Sequence, residues 1–158
     1  MREERAVLQA VAGAREEIAR AALDLGAVLQ LVCDTALGLL AADTVVVDLV
    51  EGEELVVCAL SGSYREGLGA RLGLGSSLAG GCLRTGRVIR CGDTLHDPRS
   101  DFRHVSRSGF RSILCVPIVD YGLPVGVLQA ASRREHAFAD REAGDLGLLA
   151  EVVANHLG

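Results

Sequence analysis

Two apolar seams of identical spacing stand at the ends of this chain and bracket a middle that cannot continue them. Val7, Val11, Ala14, Ile18, Ala21 and Leu25 recur at alternating steps of four and three. This is the rhythm of a helix with one buried stripe, and Arg and Glu fill its other face. Ala139, Ala143, Leu146, Ala150, Val153 and Leu157 repeat the pattern within a helix expected over residues 138–157. A second helix is expected over 25–40, with Val28, Leu31, Val32, Thr35 and Leu39 on one face. The middle instead reads as strands over 44–50, 54–60, 87–91, 111–119 and 123–132, with a short one within 70–74. Asp48 breaks the apolar run of the first strand. Glu51-Gly52-Glu53 and Asp120-Tyr121-Gly122 supply two hairpin turns. Ser76 and Ser77 offer N-caps for a short helix that Thr85-Gly86 closes, and another short helix is expected over 102–108. Helices at the ends and strands between them predict an α+β fold with an antiparallel sheet.

Composition removes several function classes. All 16 basic residues are Arg. A phosphate-binding loop of the Walker type and a Schiff-base enzyme both need Lys, so neither fits. The net charge is −5 and only 3% of residues are aromatic. Neither the basic stripe of a nucleic-acid binder nor the stacking platform of a single-strand binder is available, and a basic membrane-surface helix is equally disfavoured. The longest apolar region, 25–42, is interrupted by Gln30 and Asp34, short of the ~18 unbroken residues a membrane span needs. The N-terminus is charged and lacks a signal-peptide core, so a cytoplasmic location is expected. Five cysteines, several within apolar strands, read as reduced buried thiols rather than a disulfide framework.

One ordered succession carries more information than any single motif. Gly75-Ser76-Ser77-Leu78-Ala79-Gly80 leads to Thr85-Gly86-Arg87-Val88, then to Asp93 and Asp97-Pro98-Arg99. Gly109-Phe110-Arg111-Ser112-Ile113-Leu114-Cys115-Val116-Pro117-Ile118 follows, then Gly126-Val127-Leu128, with Phe138 and Asp140 opening the last helix. Residues 25–157 thereby resemble the GAF domain family. The resemblance implies a six-stranded antiparallel sheet flanked by helices, with a pocket enclosed by one sheet face and its covering loops. It implies a sensory module rather than an enzyme, with residues 1–24 as a signalling or dimerisation helix and 25–158 as the domain. Family ligands include cyclic nucleotides, tetrapyrroles, haem and small metabolites; this sequence names neither ligand nor cofactor. Expected partners are a small molecule, a second copy paired through the terminal helices, and an output domain such as a histidine kinase, a cyclic-di-GMP enzyme or a phosphatase.

Specific chemistries fare unequally. The cyclic-nucleotide signature of the family is missing its Asn and Lys around Ser132-Arg133-Arg134, and no Cys-His pair exists for a bilin. Haem would need His96 or His104 as axial ligand. Zinc at Cys82, Cys91 and His96 would have non-standard spacing and no fourth ligand. The polar stretch after the fourth strand is the expected ligand contact, through Asp93, His96, Asp97, Arg99, Phe102 and Arg103, with Arg111 and the helix-opening Ser76 and Ser77. Arg99, Arg103 or Arg111 would fork onto a carboxylate or phosphate. Two alternatives stand beside the sensor. One is a thiol redox sensor, or an enzyme resembling free methionine sulfoxide reductases, working through Cys82 and Cys91 with neighbouring arginines lowering a thiol pKa. The other is a ligand-free interaction and dimerisation domain.

Overall fold

The computed structural model describes residues 2–21, 24–63, 67–75, 77–100 and 109–157 of the 158, with side chains 2 and 18–21 left aside. The helix expected over 102–108 lies outside the described residues, as do Ser76, Phe102, Arg103, His104 and the side chains of Ile18 and Ala21. Ten elements follow in the order α1 (Arg2–Ala21), α2 (Leu25–Leu40), β1 (Thr44–Glu51), β2 (Glu54–Gly62), β3 (Arg71–Gly73), α3 (Leu78–Thr85), β4 (Ile89–Cys91), β5 (Ser112–Asp120), β6 (Leu123–Ser132) and α4 (Asp140–Ala154).

The strands form one sheet in the order β3-β2-β1-β6-β5-β4, antiparallel throughout. Local chemistry sets its hairpins. Tyr121 at φ 50° and Gly122 at φ 80° make a two-residue loop between β5 and β6, the left-handed pair whose twist matches a hairpin. Side chains alternate across the sheet. Val45, Val47, Leu114, Val116, Ile118, Leu128 and Ala130 bury one face against α2 and α4. Leu55, Cys115 and Val127 face the other way, beneath Leu78, Ala79, Cys82 and Leu83 of α3. The sheet is therefore a partition between two apolar layers.

Close approach and edges explain two punctuating residues. A Cβ on Gly126 would lie 2.5 Å from the Asp48 carbonyl oxygen and 2.7 Å from Leu49 Cδ2, so β1 and β6 meet where only glycine fits. Pro117 sits inside β5, yet β4 pairs only with Ile113, Leu114 and Cys115. Beyond Cys115 that side of β5 is an edge, where a missing N–H costs little.

The helices differ from expectation in which faces they bury. On α2 the buried set is Val28, Leu29, Val32, Cys33, Ala36 and Leu40. Leu31, Thr35 and Leu39 are only half-buried. This helix is apolar on most sides because α1 and the sheet both pack on it, so periodicity could not choose the face. Thr35 satisfies its hydroxyl by donating to the Leu31 carbonyl at 2.8 Å. On α4, Leu149 and Val152 join Leu146, Ala150 and Val153 in the core, while Ala139 is the exposed N-cap. On α1, Val7, Val11 and Ala14 are buried within the chain itself, Val7 and Val11 in the core shared with α2 and α4. Arg141 of α4 adds an ion pair to Glu3. No described helix is long and apolar enough to cross a membrane.

Candidate functional site

The short helix α3 owes its limits to its ends. Ser77 accepts the Gly80 N–H at 2.9 Å as N-cap, and Gly86 at φ 65° closes the helix with its own N–H on the Cys82 carbonyl. Without a Cβ, Gly86 takes this left-handed cap at little cost. The chain then turns directly into β4, and α3 packs over β5 and β6 beside that strand.

A cleft of about 660 Å³ opens there. One wall is α3 from Ser77 to Thr85, another is the turn into β4 with Arg87, Val88 and Ile89, and the third is Pro98, Arg99 and Ser100. Its volume lies in the range of small-molecule sites. Three arginines are among its lining residues, Arg84, Arg87 and Arg99. Arg99 is fixed by Asp97, with its Nη2 at 2.6 Å and its Nε at 3.0 Å from the carboxylate, and Nη2 also donates to the Arg90 carbonyl at 3.1 Å. The same guanidinium holds the Asp97 carboxyl down at about 2. Arg84 donates to the Leu74 carbonyl. Arg87 makes no side-chain ion pair or hydrogen bond among the described residues.

The residues expected to bind ligand divide between this cleft and a separate latch. Ser77 and Arg99 line the cleft, and Asp97 stands behind Arg99. Asp93, His96 and Arg111 instead bind one another. Asp93 accepts from Arg111 Nη2 at 3.0 Å and pairs with His96 Nδ1 at 2.6 Å, while Arg111 also meets Glu135 at 2.6 Å. His96 first and Arg111 second lower the Asp93 carboxyl to about 2. Thr94, between them and buried, donates to the Phe110 carbonyl at 2.7 Å. This group ties the loop after β4 to the start of β5 and the end of β6. Thr94 belongs to no motif, Arg84 stands out in sequence only beside Cys82, and Arg87 only within Thr85-Gly86-Arg87-Val88; the meeting of the two arginines at one cleft depends on how α3 returns to the sheet.

Cys33, Cys82, Cys91 and Cys115 are buried, Cys58 is exposed, and all five are free. Burial pushes the Cys82 thiol up to about 12. Burial, and then a hydrogen bond to Asp97, push Cys91 up to about 11. Burial raises Cys115 well above its ordinary value. Burial thus opposes the thiolate that a reactive thiol requires. Among the described residues no three His, Cys, Asp or Glu side chains are placed to hold a metal ion.

Behind α3 lies a polar group that sequence reading took for a simple break in β1. Asp48 is fully buried at a bulge between Val47 and Asp48 in the β1–β2 pairing. One carboxylate oxygen accepts from Gln129 Nε2, and Oδ1 has no partner among the described residues. Gln129 Oε1 in turn faces Cys115 Sγ at 3.7 Å. Burial raises the Asp48 carboxyl to about 7, against the opposing pull of Gln129.

An antiparallel sheet packed by long helices on one face, with a short helix on the other, defines an α+β domain. The chain belongs to the GAF domain family, whose sequence model matches residues 22–157. The GAF domain of a phosphoenolpyruvate-protein phosphotransferase from Coxiella burnetii superposes with a TM-score of 0.84 at 25% identity, over 96% of this chain and 92% of that one. Free methionine-R-sulfoxide reductase from Neisseria meningitidis, solved with its substrate, gives 0.81 at 23% identity over 98% and 87%. The blue-light absorbing form of the PixJ GAF domain from Thermosynechococcus elongatus gives 0.72 at 18% identity over 83% of each chain. At the identities of these last two, the likeness is one of fold. The curated proteins give no match.

Proposed function

We propose that this chain is a sensory module without catalytic activity, in which a small molecule occupies the cleft beside α3 and its presence is relayed to the terminal helices. The observation that carries this reading is the cleft itself, bounded by a capped helix, a strand edge and a loop that Asp97 and Arg99 hold in place. The relay has a physical route. Cys115 packs under α3, while its neighbours Leu114 and Val116 pack against the α2 and α4 layer. A shift of α3 therefore presses on one face of β5, and the other face carries it to α4 and α1. Residues 1–24 serve as the signalling helix, and the module acts in the cytoplasm, on a joined or separate output domain such as a histidine kinase, a cyclic-di-GMP enzyme or a phosphatase. Pairing of two copies through the terminal helices is part of this reading. Its support is Leu8, a large apolar side chain on α1 that is 63% exposed. Val7, Val11 and Ala14 are already used inside the chain. The burial of Cys82 and Cys91 favours binding over thiol chemistry.

Native mass spectrometry of the gently purified chain tests the proposal, because it weighs bound small molecules and oligomer together. The expected result is an added mass that vanishes on denaturation and is missing from Val88→Trp, where an indole fills the cleft. An added mass that persists unchanged in Val88→Trp would place the ligand elsewhere and overturn the assignment.

A further inference from the structure

We infer that the cleft beside α3 takes a small phosphomonoester, with its phosphate held by Arg84, Arg87 and Arg99. The inference rests on the reading of this cleft as the ligand site and names the chemistry it selects.

The donors available in the cleft are decided by elimination. The Ser77 hydroxyl accepts from Gly80 N–H and donates to the Gly73 carbonyl at 3.3 Å. The Thr85 hydroxyl donates to the Gly81 carbonyl at 2.8 Å, and that of Ser100 to the Thr94 carbonyl at 2.5 Å. Each hydroxyl carries one hydrogen, and each is spent on the backbone. The side-chain donors left facing the cleft are guanidinium N–H groups. Arg84 commits only Nη1, Arg99 commits Nε and Nη2, and Arg87 commits none among the described residues. A site whose uncommitted side-chain donors are guanidinium N–H groups favours a ligand that accepts.

Charge narrows the class. Three arginines line the cleft and one carboxylate, Asp97, answers Arg99. Among the described residues Arg84 and Arg87 have no carboxylate partner, in a chain whose net charge is −5. A single carboxylate carries one charge and is satisfied by one guanidinium fork. A phosphomonoester carries roughly −1.5 to −2 at pH 7 and presents three terminal oxygens. It matches both the surplus charge and the N–H groups that Arg84, Arg87 and Arg99 leave uncommitted. Leu78, Val88, Ile89 and Pro98 give the cleft an apolar side against which the esterified body would rest.

Titration at constant ionic strength, followed by the thermal midpoint, tests the assignment with three probes: inorganic phosphate, glycerol 3-phosphate and succinate. Both phosphates are expected to raise the midpoint saturably over a chloride reference. Arg87→Ala should weaken their binding roughly tenfold or more, the ratio a lost charge-assisted hydrogen bond carries. Arg71→Ala, an exposed arginine paired with Glu51 and Glu54 on β3, should leave it unchanged. Arg87 is exposed and unpaired among the described residues, so its removal should not disturb the midpoint in chloride. Equal phosphate binding by wild type and Arg87→Ala would overturn the inference, and so would tighter binding of succinate than of glycerol 3-phosphate. If neither phosphate binds while the native adduct is still lost in Val88→Trp, the phosphate assignment falls and the cleft remains the ligand site. If the adduct ignores Val88→Trp, both fall together.

Discussion

Replacing Asp48 by Asn should abolish most of a pH dependence that the wild-type fold carries between mildly acidic and mildly basic conditions. Asp48 is fully buried beneath α3, and its Oδ1 has no partner among the described residues. Removal from water disfavours the charged carboxylate, and the group moves from its ordinary 3.8 to about 7. Below pH 3.8 folded and unfolded chains both hold the proton, and this source of instability is absent. As the pH rises from there to about 7, the unfolded chain releases the proton while the folded chain keeps it, so stability falls. Above that range both forms are ionised and the deficit stays constant, at about 4 kcal/mol given 1.36 kcal/mol per unit.

Asn keeps the shape of the side chain and does not titrate. Urea unfolding of both proteins near pH 5 and near pH 8 should show the wild type losing about 3 kcal/mol more than the variant between the two conditions. The lowered carboxyls of Asp93 and Asp97 are common to both proteins and cancel in the comparison. Any constant cost of seating the amide beside Gln129 cancels as well. Parallel pH profiles for the two proteins would refute the reasoning, because they would mean that Asp48 ionises in the fold without penalty.

Gly126→Ala places a Cβ 2.5 Å from the Asp48 carbonyl oxygen and should destabilise the fold by roughly 1–3 kcal/mol, read as a lower urea midpoint. Thr94→Val removes the buried hydrogen bond to the Phe110 carbonyl and should cost about 1–3 kcal/mol by the same measure, since that carbonyl loses its donor. In the native protein a disulfide reagent at neutral pH should modify the exposed Cys58 well before the buried Cys82, Cys91 and Cys115; rapid labelling of Cys82 or Cys91 would revive the redox reading. Gly86→Ala forces a left-handed cap on a residue with a Cβ, and about 1 kcal/mol of lost stability is expected in thermal unfolding.

The elements most legible in the sequence are those whose limits are written in local chemistry. Tyr121-Gly122, Ser77 and Gly86 each fix an end by a φ or a hydrogen bond that neighbours alone determine. The same residues fix the hairpin and α3 to within two positions. Burial was less legible where local patterns are ambiguous. On α2 almost every position is apolar, so the set Leu29, Cys33 and Ala36 became visible only with the sheet and α1 in place. Asp48 looked like a polar interruption because a strand normally turns its charges to water; here the second sheet face is covered too. The expected ligand residues separated for a related reason. Asp93, His96, Asp97 and Arg99 are neighbours in sequence, but two carboxylates facing opposite ways drew Arg111 and His96 into one group and Arg99 into another. Arg84 and Arg87, distant from that loop in sequence, joined Arg99 through tertiary packing alone.

The three-residue strand β4 leaves much of β5 as a border of the sheet. A long flat border with open N–H and C=O groups is a template on which another chain can add a strand. The uncovered length of β5 contains Pro117, which has no N–H to offer, and an irregularity between Ile118 and Val119 that disturbs its spacing. Both features blunt this border against pairing edge to edge with another chain. Pro117→Val would keep the hydrophobic character of the strand and remove that guard, exposing the protein to fibrillar self-association under conditions where the parent stays dispersed.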